Sequence, residues 1–295
     1  MGLRIACRQS QLAKTQAEIV GNGMLGSFNC FELITCSTLA DRKQNSTLAD
    51  IGGKGLFVKE VELALLESRA DLAVHSLKDM PVNQPEGLPI IAVSARESAH
   101  DVLIGAKSWQ DLPQSALIGT CSPRRSFQIK NLRPDLNVIP LRGNINTRLQ
   151  KLKDGNVDAI ILAEAGIVRA KLDIDYYRFS VEEMLPSAGQ GVLAIQIRPG
   201  LEINPAAISE VSCERSFAEV MLEREIVKYL GATCHSPLAV YVQQHQSIIN
   251  VQVKAGCTLT LENIHLVSES PCFKDALEII KTKIDNSNIR TLLSR

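Results

Sequence analysis

The sequence lacks long hydrophobic runs and lacks net charge. Arg4, Arg8 and Lys14 interrupt the N-terminal region, so no secretory signal is expected, and the other apolar stretches are too short to span a bilayer. Lys plus Arg and Asp plus Glu each total 32 residues, so the whole molecule has no attraction for nucleic acid or an anionic membrane. These absences predict a cytoplasmic protein in which any positive charge that function needs is concentrated locally.

Paired cysteines and aromatic residues are also scarce. The eight cysteines are scattered and include no CxxC pair, so neither a metal site nor disulfide bonds are expected. Aromatic residues make up 4% of the chain, which argues against nucleic-acid binding. Apolar residues reach 45% of the 295 positions, which is enough for buried cores in about two domains of ordinary size.

Short apolar runs alternate with amphipathic helical patterns through most of the chain, which is typical of α/β construction. A predicted strand at residues 72–75 runs into a tight segment that Pro81 prevents from continuing as a helix. Lys78 and Asp79 therefore lie at the carboxyl end of a strand, where ligands bind in open α/β sheets. Taken alone, the pair also fits an ordinary surface turn.

Positive charge is concentrated between residues 119 and 151, where seven basic residues and one acid, Asp135, give a local charge of +6. Ser122 and Pro123 are predicted to begin a helix, with Ser122 as N-cap. Helix N-termini favour anions, and the arginine fork suits carboxylates and phosphates. As a group these residues predict an anion site, although a solvated basic face is the better explanation for any single one of these arginines. The basic residues are Arg124, Arg125, Lys130, Arg133, Arg142, Arg148 and Lys151.

The last third of the chain changes character. A long amphipathic helix at residues 214–230 precedes polar-alternating strands at 238–242 and 248–254, which predicts a small α+β domain with an antiparallel sheet. Cys234 and His235 lie between this helix and the first strand. Adjacent residues of an extended chain point in opposite directions, so a nucleophile–base pair is disfavoured there. Spacing alone predicts a buried thiol beside a solvated histidine.

These segments together resemble the porphobilinogen deaminase (hydroxymethylbilane synthase) family, in order and over nearly the whole chain. The sequence departs from the family's pattern at Ala232-Thr233, where a Gly-Gly pair is usual, and at residues 121–123, where Ser-Ser-Leu is more common. The matching segments are residues 4–13 (RIACRQSQLA), 52–60 (GGKGLFVKE), 74–81 (VHSLKDMP), 119–125 (GTCSPRR), 141–149 (LRGNINTRL), 161–169 (ILAEAGIVR) and 189–191 (GQG), followed by Cys234.

The resemblance implies a three-domain fold. It comprises two α/β lobes of the periplasmic-binding-protein type, joined by hinge strands near residues 94–98 and 187–191, and a small C-terminal α+β domain with an antiparallel sheet. The implied boundaries are residues 1–94 with 190–210 for domain 1, residues 98–187 for domain 2 and residues 212–295 for domain 3.

The resemblance also implies an enzyme of the transferase class. Such an enzyme condenses four porphobilinogen units head to tail with loss of ammonia, on a covalent dipyrromethane primer, and releases linear hydroxymethylbilane by hydrolysis. Cys234 would hold the cofactor through a thioether, and Asp79 would be the catalytic carboxylate. The expected protein is monomeric, acts in porphyrin and heme biosynthesis, and has porphobilinogen but no nucleic acid or membrane as partner.

Further site residues follow from the same resemblance, because each pyrrole brings two carboxylates that are costly to bury unpaired. Arginines from both lobes would hold this negative charge in a cleft. Expected cofactor-binding residues are Lys78, Thr120, Ser122, Arg124 and Arg125. Expected substrate-binding residues are Arg8, Ser10, Arg142, Arg148, Arg169 and Gln190, and expected flexible-loop residues are Lys54, Phe57 and Lys59.

Two other functions stay open at this point. A non-catalytic two-lobed protein that binds small anions would use the same arginines, but it needs neither a nucleophilic cysteine nor the Lys78-Asp79 pair. Nucleic-acid binding through residues 119–151 predicts an affinity that falls steeply with salt.

Overall fold

The structure is a computed structural model that describes residues 2–37, 58–233, 236–257 and 259–294. The chain divides into two compact units. The first contains residues 1–97, 169–171 and 191–217, and the second contains residues 98–168, 172–190 and 218–295. The divisions at Glu97/Ser98 and Gln190/Gly191 fall within the two segments predicted as hinges.

The described residues form strands and helices in the following order. The strands are β1 (Gly2–Arg8), β2 (Cys30–Cys36), β3 (Leu72–Ser76), β4 (Ile90–Val93), β5 (Asp101–Ile104), β6 (Leu117–Gly119), β7 (Asn137–Ile139), β8 (Ala159–Ala163), β9 (Tyr177–Arg178), β10 (Leu193–Ile197), β11 (Leu238–His245), β12 (Ile248–Gly256) and β13 (Asn263–Ser270). The α-helices are α1 (Gln11–Gly23), α2 (Lys59–Leu66), α3 (Pro123–Leu132), α4 (Ile145–Lys153), α5 (Glu164–Arg169), α6 (Pro205–Ser209), α7 (Glu214–Tyr229), α8 (Phe273–Asp285) and α9 (Ile289–Leu293), and a 3₁₀ helix spans Leu77–Asp79.

The first unit is built on a five-stranded sheet with the order β2-β1-β3-β10-β4. β1 runs parallel to β2 and β3, whereas β10 runs antiparallel to β3 and β4. Ile5, Leu72 and Ala17 belong to the core on the side of α1, and Ala73 and Val61 belong to the core on the side of α2. Both faces of this sheet are covered, and the buried apolar stretches at residues 5–7 and 72–74 fit that environment. The carboxyl ends of β1 and β3 meet at one edge of the sheet.

The second unit contains a sheet of similar construction, with the order β7-β6-β8-β5-β9. β6 is parallel to β7 and β8, and β5 is antiparallel to β8 and β9. Leu103, Ile118 and Ile161 form the core on one face, and Val102 and Ile160 belong to the core on the other. β5 was not predicted, because it has only four residues and begins with an aspartate.

The C-terminal part of the second unit forms an antiparallel sheet, β11-β12-β13. Ala239 and Tyr241 of β11 pack in one cluster with Ala99 and Leu185. The three sheets confirm the predicted fold class of two α/β sheets with a smaller antiparallel α+β part. β13 and α8 were not predicted, and the limits of the three expected domains stay predictions. No helix in the described ranges has both the length and the apolar character needed to cross a membrane.

Candidate active site

A cavity lies at the carboxyl edge of the first unit's sheet, where β1 and β3 end. Arg8 is the last residue of β1, and Asp79 is the last residue of the 3₁₀ helix that follows β3. The structure thus brings together three predicted site residues, Arg8, Ser10 and Asp79. Lys78 precedes Asp79 on the 3₁₀ helix and is half-buried. The lining residues are Arg8, Ser10, Leu12, Ala13, Gln16, Val58, Val74, His75, Ser76 and Asp79.

Local hydrogen bonds hold one wall of this cavity in place. Ser10 is the N-cap of α1, and its hydroxyl accepts a hydrogen bond from the Ala13 amide at 3.3 Å. One turn later the Gln16 amide donates to the Ser76 hydroxyl at 3.0 Å. This contact ties α1 to the end of β3. The cavity is therefore bordered by regular elements that are tied to each other.

The second unit contains the predicted anion site at the start of α3. Ser122 is the N-cap, its hydroxyl accepts from the Arg125 amide at 3.4 Å, and Pro123 lies in the first turn. The predicted helix start is therefore confirmed. Thr120 is buried just before it, and its hydroxyl accepts from the Ser122 amide at 3.1 Å.

Arg124 and Arg125 differ from the solvated arginines that the sequence pattern allowed, because both are buried. They share one fully buried carboxylate. Asp101 lies 2.6 Å from Nη1 of Arg124 and 2.7 Å from Nη2 of Arg125. Asp101 lies outside residues 119–151, so it was not included in the charge of that segment. The one acid inside the segment, Asp135, pairs with Arg133 at 2.7 Å. Asp135 is already included in the +6 of the segment, so Asp101 lowers this local charge to +5 in the folded chain.

Gln190 completes this buried cluster. Its side-chain oxygen accepts from Nη2 of Arg124 at 3.4 Å, and its amide donates to the Ala99 carbonyl at 2.6 Å and to Asp101 at 3.2 Å. Arg125 also donates to the Ile161 carbonyl at 2.9 Å. These contacts join α3, β5 and the Gly189–Gln190 segment of the second unit through one network.

The remaining predicted residues belong to other parts of the two units or lie outside the described residues. Arg142 and Arg148 are half-buried near the start of α4, where Arg148 donates to the Gly143 carbonyl at 2.8 Å. Arg169 donates to the Gly191 carbonyl at 2.6 Å. Burial lowers the pKa of Arg169, with Glu97 opposing that effect. Lys59 is exposed at the first residue of α2, and Lys54, Phe57 and Cys234 lie outside the described residues.

Two residues that the sequence analysis did not single out are central to these groups. Asp101 joins the two arginines, and its signal in the sequence was a charged residue at the start of an apolar run. His75 was quoted only as a motif position, yet it is buried and lines the same cavity as Asp79.

Comparison with known proteins gives one consistent result. The family model described as "Porphobilinogen deaminase, dipyromethane cofactor binding domain" matches residues 3–203. A porphobilinogen deaminase of Syntrophus aciditrophicus (strain SB) is 39% identical over 86% of this chain and 85% of its own length. The porphobilinogen deaminase of Clostridium acetobutylicum is 40% identical over 85% of this chain and 87% of its own length. The chain belongs to the porphobilinogen deaminase family.

Family membership confirms the prediction of a transferase with a dipyrromethane cofactor, and it disfavours the non-catalytic anion-binding alternative. Solved structures with partial similarity include the aliphatic sulphonate binding protein SsuA of Escherichia coli, with 14% identity, a TM-score of 0.38, and coverage of 77% of this chain and 69% of that chain. Another is the probable amino-acid ABC transporter extracellular-binding protein ytmK of Bacillus subtilis, with 10% identity, a TM-score of 0.37, and coverage of 78% of this chain and 98% of that chain. The fold of this chain is therefore assigned from the strand order of its own three sheets.

Proposed function

We propose that Asp79 is the catalytic carboxylate of a porphobilinogen deaminase reaction. In that reaction four porphobilinogen units condense head to tail with loss of ammonia, and hydrolysis releases linear hydroxymethylbilane. The proposal rests on the cavity at the carboxyl edge of the first unit's sheet. Asp79 lines this cavity together with Arg8 and Ser10.

The charges in this cavity complement those of the substrate. Porphobilinogen carries a cationic aminomethyl group and two carboxylates, and the cavity offers one carboxylate and one guanidinium. Asp79 holds the amino group as its ammonium ion, so that the C–N bond breaks with its electron pair leaving on neutral ammonia. The same carboxylate stabilises the cationic methylene that remains. Arg8 binds a carboxylate of the same substrate through a charge-assisted hydrogen bond.

The start of α3 has the donors that a dipyrromethane cofactor requires. Dipyrromethane carries carboxylates, and Ser122 opens a helix whose N-terminus favours anions. Asp101 and Gln190 hold the guanidinium groups of Arg124 and Arg125 in fixed orientations, so little freedom is lost on binding. We assign cofactor contacts to Lys78, Thr120, Ser122, Arg124 and Arg125. When bound, the cofactor supplies the primer to which pyrrole units are added.

Cys234 is the proposed point of attachment. Thr233 and Ser236, which flank it in the described part of the chain, are hydrogen-bonded to each other, with the Thr233 amide 3.0 Å from the Ser236 hydroxyl and the Ser236 amide 3.0 Å from the Thr233 carbonyl. We assign substrate binding to Arg8, Ser10, Arg142, Arg148, Arg169 and Gln190. Lys59, which was expected in a flexible loop, is the first residue of α2.

We also propose a cytoplasmic monomer with the three-domain division given above. Equal numbers of acidic and basic residues favour a small-molecule substrate over a nucleic acid or a membrane as partner. Gel filtration with light scattering tests the monomer, and a dimer mass would contradict it.

The intact mass of the purified protein tests the proposal directly. We expect an excess equal to two condensed pyrrole units, absent from Cys234→Ala and retained in the control variant Cys30→Ala. Cys30 is an exposed cysteine of the first unit. A bare polypeptide mass after incubation with porphobilinogen would refute the cofactor assignment and favour the anion-binding protein.

A further inference from the structure

Glu164 is a fully buried carboxylate that the proposed reaction does not use. Its side chain has no exposed surface, and three side chains donate to it. The Ser98 hydroxyl donates to Oε2, the Tyr176 hydroxyl donates to Oε1 at 2.8 Å, and Nε of Arg178 donates to Oε1 at 2.8 Å. Burial of a carboxylate is costly even when it is paired, and apolar side chains in place of a buried ion pair are often equally stable or more stable. Stability alone therefore does not account for Glu164.

The donors around Glu164 keep its carboxyl group ionised. Burial acts to raise the pKa of Glu164, but the hydrogen bonds of its three donors outweigh burial and hold the pKa below its ordinary value. An ionised carboxylate only accepts hydrogen bonds, so the Ser98 hydroxyl uses its proton for Glu164. The oxygen of that hydroxyl then accepts from the His100 amide at 3.2 Å. Glu164 thus sets the orientation of Ser98.

Ser98 belongs to a short segment that precedes the sheet of the second unit. Residues 98–100 have no regular secondary structure, and the ladder between β5 and β8 begins at Asp101. Glu164 fastens this segment at two points. Its carboxylate accepts from Ser98, and its backbone amide donates to the His100 carbonyl at 3.0 Å. The position of the segment therefore depends on Glu164 as well as on β5.

The same segment, together with the first residue of β5, carries two anchors of the buried arginine cluster. Asp101 accepts from Nη1 of Arg124 and from Nε of Arg125, so it fixes both guanidinium groups. The Ala99 carbonyl accepts from the Gln190 amide at 2.6 Å, and Gln190 contacts Arg124 in turn. A shift of this segment therefore moves both anchors together.

Building on the function proposed above, we propose that Glu164 is a positioning residue of the cofactor site. Through Ser98 it holds the segment from which Asp101 and Ala99 orient the cofactor-binding arginines. Guanidinium groups that are already in place lose little freedom when the carboxylates of dipyrromethane bind. Loss of the contact between Glu164 and Ser98 leaves the arginines present but less ordered, so attachment of the cofactor slows.

Two single substitutions separate positioning from stability. Ser98→Ala removes the hydroxyl that joins Glu164 to the segment, whereas Tyr176→Phe removes a hydroxyl that donates to the same carboxylate from the residue before β9. Both side chains are half-buried, so a purely structural role predicts similar effects of the two changes. We expect only Ser98→Ala to slow cofactor attachment, by about fivefold, the factor that corresponds to one lost hydrogen bond. Ser98→Thr keeps the hydroxyl and is expected to restore the rate.

The measured quantity is the rate at which the two-pyrrole mass appears on the polypeptide. Each protein is produced in cells that cannot make porphobilinogen and is then incubated with it, and the intact mass is followed with time. Equal rates in Ser98→Ala and Tyr176→Phe would overturn the proposal. An unaltered chain that never gains this mass would refute the proposed function. A chain that gains it at a rate independent of Ser98 refutes only the role of Glu164.

A measurement on an arginine side chain tests the position directly and requires no turnover. In protein labelled with ¹⁵N-arginine, the Nε–H of Arg125 that donates to Asp101 gives a resonance that is identified by its absence from Arg125→Lys. We expect its hydrogen exchange to be about fivefold faster in Ser98→Ala and unchanged in Tyr176→Phe. In a chain that already carries Glu164→Ala, Ser98→Ala is expected to add no further increase, because the two residues act through one contact. Additive increases, or unchanged exchange in Ser98→Ala, would contradict the role of Glu164.

Discussion

The carboxylate of Asp101 lies 2.6 Å from Nη1 of Arg124, and both side chains are buried. Asp101 is the first residue of β5, and Arg124 lies in the first turn of α3. The second oxygen of the same carboxylate accepts from Nε of Arg125 at 2.9 Å. One acid thus determines the position of two arginines that the family resemblance assigns to the cofactor.

Replacement of Asp101 by asparagine is expected to destabilise the protein strongly. It leaves two buried guanidinium groups without their shared negative charge, and breaking a buried pair in this way costs about 3–5 kcal/mol. The free energy of unfolding in denaturant measures the loss. The matched control is Asp173→Asn, at an exposed position, where the change is expected to stay within about 0.5 kcal/mol. Similar losses in the two variants would contradict a buried pair.

Arg125→Lys tests whether the arginine fork, and not its charge alone, is required. Arg125 uses Nε and Nη2 for Asp101 and Nη1 for the Ile161 carbonyl, and a lysine ammonium cannot reach all three positions. We expect a loss of about 1–3 kcal/mol in the free energy of unfolding and reduced cofactor mass on the purified protein.

The control for Arg125→Lys is Arg133→Lys at the other end of α3. Arg133 pairs with the partly exposed Asp135, so a smaller loss of stability and full cofactor loading are expected. Full loading in Arg125→Lys as well would remove Arg125 from the cofactor site.

Asp79→Asn is expected to lower turnover by about 10²–10⁴-fold, because the neutral amide can neither hold the ammonium group by charge nor balance the cation that forms. The change nearly preserves the shape of the side chain, so the cofactor mass and the unfolding midpoint are expected to remain. Glu86→Gln, at an exposed position that follows the same strand, serves as control. Normal steady-state turnover in Asp79→Asn would exclude Asp79 from the mechanism.

The pair between Arg4 and Asp71 predicts a loss of stability in acid. Burial acts to raise the pKa of Asp71, but the hydrogen bonds and charge of Arg4 outweigh it and hold the pKa below its ordinary value. A lowered carboxyl pKa stabilises the fold above the unfolded pKa of about 3.9, and this contribution disappears as pH falls through the folded pKa. Because Arg4 is partly exposed, the contribution is about 1 kcal/mol.

Denaturation of the protein and of Asp71→Asn between pH 7 and pH 3 measures this contribution. The stabilities of the two proteins are expected to differ at pH 7, and this difference is expected to shrink as the pH falls below the unfolded carboxyl pKa of about 3.9. The exposed Asp175→Asn is expected to follow the unaltered protein at every pH. A constant difference between the protein and Asp71→Asn would show that the Asp71 carboxyl does not titrate with folding.

Structural features that depend on residues close together in the sequence could be predicted from the sequence alone. The cap of α3 at Ser122 and the tight segment at Lys78 and Asp79 depend on residues within four positions of each other. The α/β class followed from hydrophobic periodicity, which sets the faces of strands and helices before they pack. The ordered family motifs indicated the activity, since each motif is itself local.

Only the tertiary structure decided the partners of the buried polar groups. Asp101 meets Arg124 from 23 positions away, and Gln196 lies behind His75 because β10 pairs with β3. A sequence shows the charge of each residue but not which oppositely charged or hydrogen-bonding group will be buried against it. Burial then sets the outcome, because a charge taken from water requires a partner.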